Sequence, residues 1–188
     1  MTGEVGSARR RALLAGLLGV GASVLGGSLW RPSLARADDD AAAYEAAVWM
    51  RIPRIGVDST TVDVGVTDGY YDVPWFDVGH HADSANPGEP GNSIFNGHVL
   101  TIGAGRVFYR LTELTPGDAI FVYTANYRTS WAVSATDAVA DTDDTFLVQT
   151  DQPQVTLYTC TGRFNFLERS YAERLVVVGE LVDVVERS

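Results

Sequence analysis

The chain has 188 residues, 46% hydrophobic and 20% charged, with 24 acids against 14 bases that are all Arg, and a single cysteine. That length suits one domain of ordinary size, with or without a targeting segment, and a body of ~130 residues can bury a core without cross-links or metals. A formal net charge of −10 argues against a nucleic-acid binder, which needs clustered cations to release counterions, and a lone Cys160 excludes an intramolecular disulfide or a cysteine-based zinc cluster.

The first 37 residues hold five of the arginines and one acid, Glu4. Arg9-Arg10-Arg11 precede an uncharged run over 12–30, whose 19 residues would span ~28 Å as a helix, close to a bilayer core. Two readings follow. Ala35-Arg36-Ala37 fits a small-x-small cleavage site, and paired Arg before a modestly apolar run suggests a twin-arginine export signal. Trp30 at the outer end and the length of the run fit an uncleaved, single-pass anchor. Either way the body faces outside the cytoplasmic membrane. Residues 38–50, Ala-rich and acidic, read as a stalk, which leaves 51–188 as the folded domain.

From Arg51 onward the texture is β-rich. Strands are predicted over 51–57 and 61–66 with a turn at Asp58-Ser59, then over 93–95, 119–124, 130–134, 154–158 and 174–185. Gly179 within the last run suggests a bulge or bend, and Thr115-Pro116-Gly117-Asp118 reads as a turn. The Pro- and Gly-rich stretch 86–92 is a loop. Many short strands at this spacing imply an all-β, mostly antiparallel sandwich or barrel with one or two helical turns.

Cys160 ends the run 154–158 extended through Thr159, just before the turn signal Thr161-Gly162, so it would sit at the mouth of a strand. His98 follows the strand 93–95 by way of Asn96-Gly97, where Gly97 permits a close approach. Arg174 opens the last strand. An imidazole can lower a thiol's pKa or serve as its base, and a guanidinium stays charged and offers a fork of donors to a developing oxyanion. The three residue types would make an acyl-transfer site if their strands were neighbours; a buried structural cysteine, a structural histidine and an ion-paired arginine are the alternative. His80-His81 reads as a solvated loop pair.

The segment Thr156-Leu157-Tyr158-Thr159-Cys160 resembles the TLxTC signature of sortases, the cysteine transpeptidases of bacterial cell surfaces. Gly97-His98, which lies 62 residues before Cys160, is similar to the family's histidine. Glu173-Arg174-Leu175-Val176 resembles its arginine strand and Arg51-Ile52-Pro53-Arg54-Ile55 its first strand. Pro87-Gly88-Glu89-Pro90-Gly91-Asn92 resembles the loop before the histidine in class E and class F-like members. The resemblance covers about residues 51–185. It implies a closed eight-stranded β-barrel with short helices and cleavage of an LPxTG-like motif by a thioacyl intermediate on Cys160. His98 would be the general acid/base, Arg174 the oxyanion and substrate stabiliser, and Thr159 and Leu157 substrate-binding. It further implies two partners: surface proteins with a C-terminal sorting signal, and an amine acceptor from a peptidoglycan precursor or a pilin. No cofactor and no metal is expected, although Asp77, Asp83 and Glu89 lie in a loop region where some sortases hold calcium. Arg163 and Arg169 compete with Arg174 for the arginine role. A thiol peptide hydrolase and a non-catalytic exported β domain for adhesion or scaffolding are the other functions this sequence allows.

Overall fold

The computed structural model describes residues 44–100, 105–165 and 170–187. The leader at 1–37, with its predicted hydrophobic helix, and the start of the stalk lie outside the described residues. Eight strands close into a barrel: β1 (Trp49–Ile52), β2 (Val57–Val64), β5 (Val78–His81), β6 (Asn92–Asn96), β7 (Ala119–Tyr123), β8 (Tyr127–Ala140), β9 (Gln154–Asn165) and β10 (Ser170–Glu186). Around the barrel they run β1-β2-β5-β6-β9-β10-β8-β7. A small hairpin of β3 (Val66–Thr67) and β4 (Tyr70–Tyr71) stands apart from it. The barrel begins before residue 51: Ala47 is in the core, and the Val48 amide donates to the Tyr123 carbonyl at 2.8 Å.

Alternation along each strand builds the core. Met50 and Ile52, Ile120 and Val122, Trp131 and Val133, Val155 and Leu157, Leu175 and Val177 are two apart and meet inside, joined by Phe95 and by Phe108, Leu111 and Leu114 from the 106–114 segment. This is the period-two pattern of a sheet with one face buried. The Trp131 indole N–H donates to Thr129 Oγ1 at 2.8 Å, so the largest core side chain leaves no unpaired polar atom.

Several strand limits differ from the sequence reading. Asp58-Ser59 is not a turn; β2 runs through it, and the chain reverses at a 3₁₀ turn, Pro53–Ile55, closed by Gly56 with φ 71°. Proline at the start of that turn and glycine in the left-handed conformation at its end are the residues such a reversal needs. The turn at 115–118 is present, with Gly117 at φ 94° and the Asp118 amide bonded to the Thr115 carbonyl. Gly179 marks a shift in β8–β10 register, as predicted. Most consequential, β9 continues to Asn165, so Cys160 lies within a strand rather than at its mouth.

The sheet is not wholly antiparallel. β2 pairs parallel with β5, and β6 pairs parallel with β9. A parallel pair needs a long crossover, and between β6 and β9 that crossover contains β7 and β8. It brings side by side two strands that are distant in sequence: β9 carries Cys160, and His98 follows two residues after β6 ends.

Candidate active site

Three neighbouring strands, β6, β9 and β10, form the site. In the β6–β9 ladder every pair is offset by 62 residues, from Asn92↔Gln154 to Asn96↔Tyr158. The ladder ends there, and His98 follows Asn96 by two residues as Cys160 follows Tyr158. The strands still run together there, because Thr159 Oγ1 donates to the Gly97 carbonyl at 2.7 Å. Gly97 is required by packing: a Cβ at that position would collide with Val107 and Phe108. On the other side, Cys160 and Arg174 are direct partners in the antiparallel β9–β10 ladder, an arrangement that brings Cβ atoms to about 4.5–5.5 Å. Cysteine and arginine therefore share one rung, and the histidine lies two residues past the end of the neighbouring strand.

Cysteine and arginine also share one face. Phe95, Val155, Leu157, Leu175 and Val177 belong to the core, so alternation turns Asn96, Tyr158, Cys160 and Arg174 to the outer surface of the barrel. This corrects two expected substrate-binding residues. Leu157 is 0% exposed within the core, and Thr159 is buried with its hydroxyl held by Gly97; each lies one residue out of phase with Cys160, on the opposite face.

Beyond Cys160 the β9–β10 ladder is irregular. Its register shifts between Tyr171 and Glu173, and Gly162 has φ 78°, where a Cβ would strike the Glu173 carboxylate. The sequence signal at Thr161-Gly162 is thus a bulge rather than a turn, a device common beside active sites. Arg174 Nη1 donates to the carbonyls of Tyr171 and Glu173, both at 3.1 Å, so the backbone of β10, opposite the bulge in β9, orients the guanidinium.

Cys160 is a free thiol and half-buried. Burial pushes its pKa up, the Arg174 cation draws it down, and the carboxylate of Asp141 adds a smaller upward push. Burial lowers the pKa of His98, opposed by a hydrogen bond to the Val73 backbone. Both shifts favour the uncharged forms at neutral pH. Thiolate and imidazolium are each minority forms, and the charge of Arg174 favours the thiolate.

A second rung lies two residues before the first, and the sequence reading missed it. His80 and His81 are not a solvated loop pair; they end β5 and are 2% and 0% exposed. His80 is held by Asp63 at 2.9 Å and the Ala85 carbonyl at 3.1 Å. His81 Nε2 lies 3.0 Å from the Tyr158 hydroxyl and stacks on Tyr71, with centroids 3.5 Å apart. Tyr158 therefore does not pack in the core; it lies on the outer face against Phe146, and burial pushes its pKa to about 12. Its position two residues before Cys160, with Asn96 two before His98, was the available signal.

The three acids considered for a cation have separate duties. Asp77 accepts from Thr60, Asp83 from the Tyr71 hydroxyl at 2.8 Å, and Glu89 from the Asn86 amide at 2.9 Å. Among the described residues no cluster of three or more His, Cys, Asp or Glu side chains could hold a metal ion. No helix among them is long and apolar enough to cross a membrane.

A family model described as the sortase domain matches residues 50–182. Among solved structures, the chain is similar to Listeria monocytogenes sortase A (19% identity, 77% of this chain and 92% of that one, TM-score 0.62). It is likewise similar to sortase E1 of Streptomyces coelicolor, solved with a tripeptide in the active site (21%, 77% and 93%, TM-score 0.60). A third likeness is to sortase C1 of Streptococcus agalactiae (25%, 75% and 69%, TM-score 0.60). A search of curated protein sequences finds no match.

Proposed function

The chain belongs to the sortase family, and from that premise we propose that it is a transpeptidase whose nucleophile is Cys160. The substrate is a surface protein with an LPxTG-like sorting motif. The thiolate adds to the carbonyl carbon of the motif's Thr, and the resulting oxyanion is stabilised by Arg174, a fixed cation beside the sulfur. Collapse breaks the Thr–Gly bond as His98 gives its proton to the departing amine, leaving a thioester. An incoming amine then surrenders a proton to His98 and attacks that thioester; the sulfur leaves and a new amide forms. The acceptor is an amine of a peptidoglycan precursor or a pilin. Arg9–Arg11 ahead of the uncharged run 12–30 support work at the outer face of the cell membrane, and the 87–92 loop supports a class E or class F-like member.

The observation that carries this reading is the direct pairing of Cys160 with Arg174, on a strand whose parallel neighbour ends two residues before His98. Incubation with an LPxTG-type peptide and a glycine peptide should yield a ligated product by mass spectrometry, together with an acyl adduct on Cys160. Cys160→Ala should lower turnover by about 10³-fold or more while still binding the peptide. Hydrolysed peptide without ligation would make the chain a thiol hydrolase, and undiminished turnover in Cys160→Ala would remove the cysteine mechanism altogether.

A further inference from the structure

Taking the catalytic reading above as its basis, we propose that His81 is a positioning residue for the Cys160–His98 pair, acting through the Tyr158 hydroxyl and the Asn96 amide. Asn96 and Tyr158 are register partners that close the β6–β9 ladder, Asn96 two residues before His98 and Tyr158 two residues before Cys160 on the same face as the thiol. Asn96 Nδ2 donates to the Asp72 carbonyl at 3.0 Å and to Tyr158 Oη at 3.3 Å, and it lies 3.4 Å from His81 Nε2. His81 Nε2 therefore faces two donor groups and serves as the acceptor, with Tyr158 donating into it at 3.0 Å. The result is a directed chain, Asn96 to Tyr158 to His81, across the three adjacent strands β6, β9 and β5.

The surroundings fit that role. Asn96 is 1% exposed and sits opposite Gly79, where a Cβ would collide with the Asn96 amide oxygen; the neighbouring strand gives up a side chain to admit it. Tyr71 covers the His81 ring and is itself anchored on Asp83. With Nε2 accepting, the imidazole proton resides on Nδ1, which is buried without a hydrogen-bond partner. An unpaired buried polar atom is a poor choice for a side chain whose only task is packing. Burial also keeps His81 neutral at physiological pH, with a pKa of about 4, so the acceptor is available whenever the enzyme works. Because small displacements of reacting groups cost rate steeply, a brace one rung below the thiol and imidazole governs their alignment without touching substrate.

The test uses full-length protein and five variants: Tyr158→Phe, His81→Leu, the double variant of these two, His81→Gln and His98→Gln. Tyr158→Phe and His81→Leu should each lower kcat about tenfold with KM within twofold, and the double variant should be no worse than the poorer single, since both cut one chain. His81→Gln, which keeps an acceptor, should recover part of the rate. A second readout needs no substrate: the pH profile of Cys160 alkylation by iodoacetamide. In the wild type it should carry an inflection that His98→Gln removes, and Tyr158→Phe should weaken the same inflection. Losses that multiply in the double variant, or a Tyr158→Phe profile and kcat equal to wild type, would overturn the brace alone. A wild-type profile indifferent to His98→Gln would remove the Cys–His pair itself, and with it the catalytic reading.

Discussion

The two faces of β9 make different demands on one six-residue segment, Val155 to Cys160. Facing inward, Val155 and Leu157 meet Phe95, Leu175 and Val177 in an apolar interior, and Thr159 ties its hydroxyl to a carbonyl of the neighbouring strand. Facing outward, Tyr158 joins a polar cluster and Cys160 stands beside Arg174. Stability and chemistry thus alternate residue by residue. A strand permits this because successive side chains leave the backbone in opposite directions, while its hydrogen bonds on both edges hold the two sets in fixed relation. A thiol mounted in this way is rigid because its inward neighbours are packed.

The strongest way to break the comparison is from the inside. Leu157→Ala should destabilise the barrel by about 2–5 kcal/mol through lost burial and a residual cavity, read as a fall in the denaturant midpoint. At temperatures where the variant remains folded, its activity should persist. Loss of activity without loss of stability would show that the inner face takes part in the chemistry. From the outside, Arg174→Ala should lower kcat/KM by about 10²-fold with little change in the midpoint. It should also raise the thiol pKa, since the cation favours the thiolate. The alkaline limb of the rate profile then moves to higher pH, and alkylation at a fixed mildly alkaline pH becomes slower.

The polar cluster sharpens the comparison by contributing to stability from the outer face. The unfolded chain takes up the His81 proton near pH 6.5 and the folded chain only near pH 4. Between those values the unfolded state holds more protons, so this contribution is complete above pH 6.5 and declines as pH falls toward 4, by on the order of 3 kcal/mol. Subtracting the stability profile of His81→Gln from that of the wild type should isolate this slope; parallel profiles would contradict it. The smallest effect is expected at the seam between the two faces. Thr159→Val removes the hydrogen bond to Gly97, costing about 1 kcal/mol, and should reduce kcat severalfold by loosening the segment before His98. A stability loss with kcat intact would limit Thr159 to the fold.

Much of the site was legible in the sequence. Cys160, His98 and Arg174 were named from residue type and from their likeness to a family's motifs; the structure pairs Cys160 with Arg174 and sets His98 two residues past the end of β6. The bulge at Gly179 and the turn at 115–118 were readable because glycine and proline act locally. The errors had a common source. Leu157 and Thr159 were expected at the substrate from the likeness to the family's signature, although an odd offset from Cys160 along a strand selects the opposite face. His80-His81 was placed in solvent because its flanking sequence is polar, whereas its burial comes from Tyr71, Phe95 and Tyr158, none adjacent in the chain.

The sequence alone determined the residue chemistry, the period of most strands and the turns that need glycine or proline, since each depends on a few consecutive residues. Only the tertiary structure decided the parallel β6–β9 register, the long extension of β9 and the cluster beneath the thiol. Those depend on which distant segments pair, and a pairing register is set by the fit of whole strands around a closed barrel.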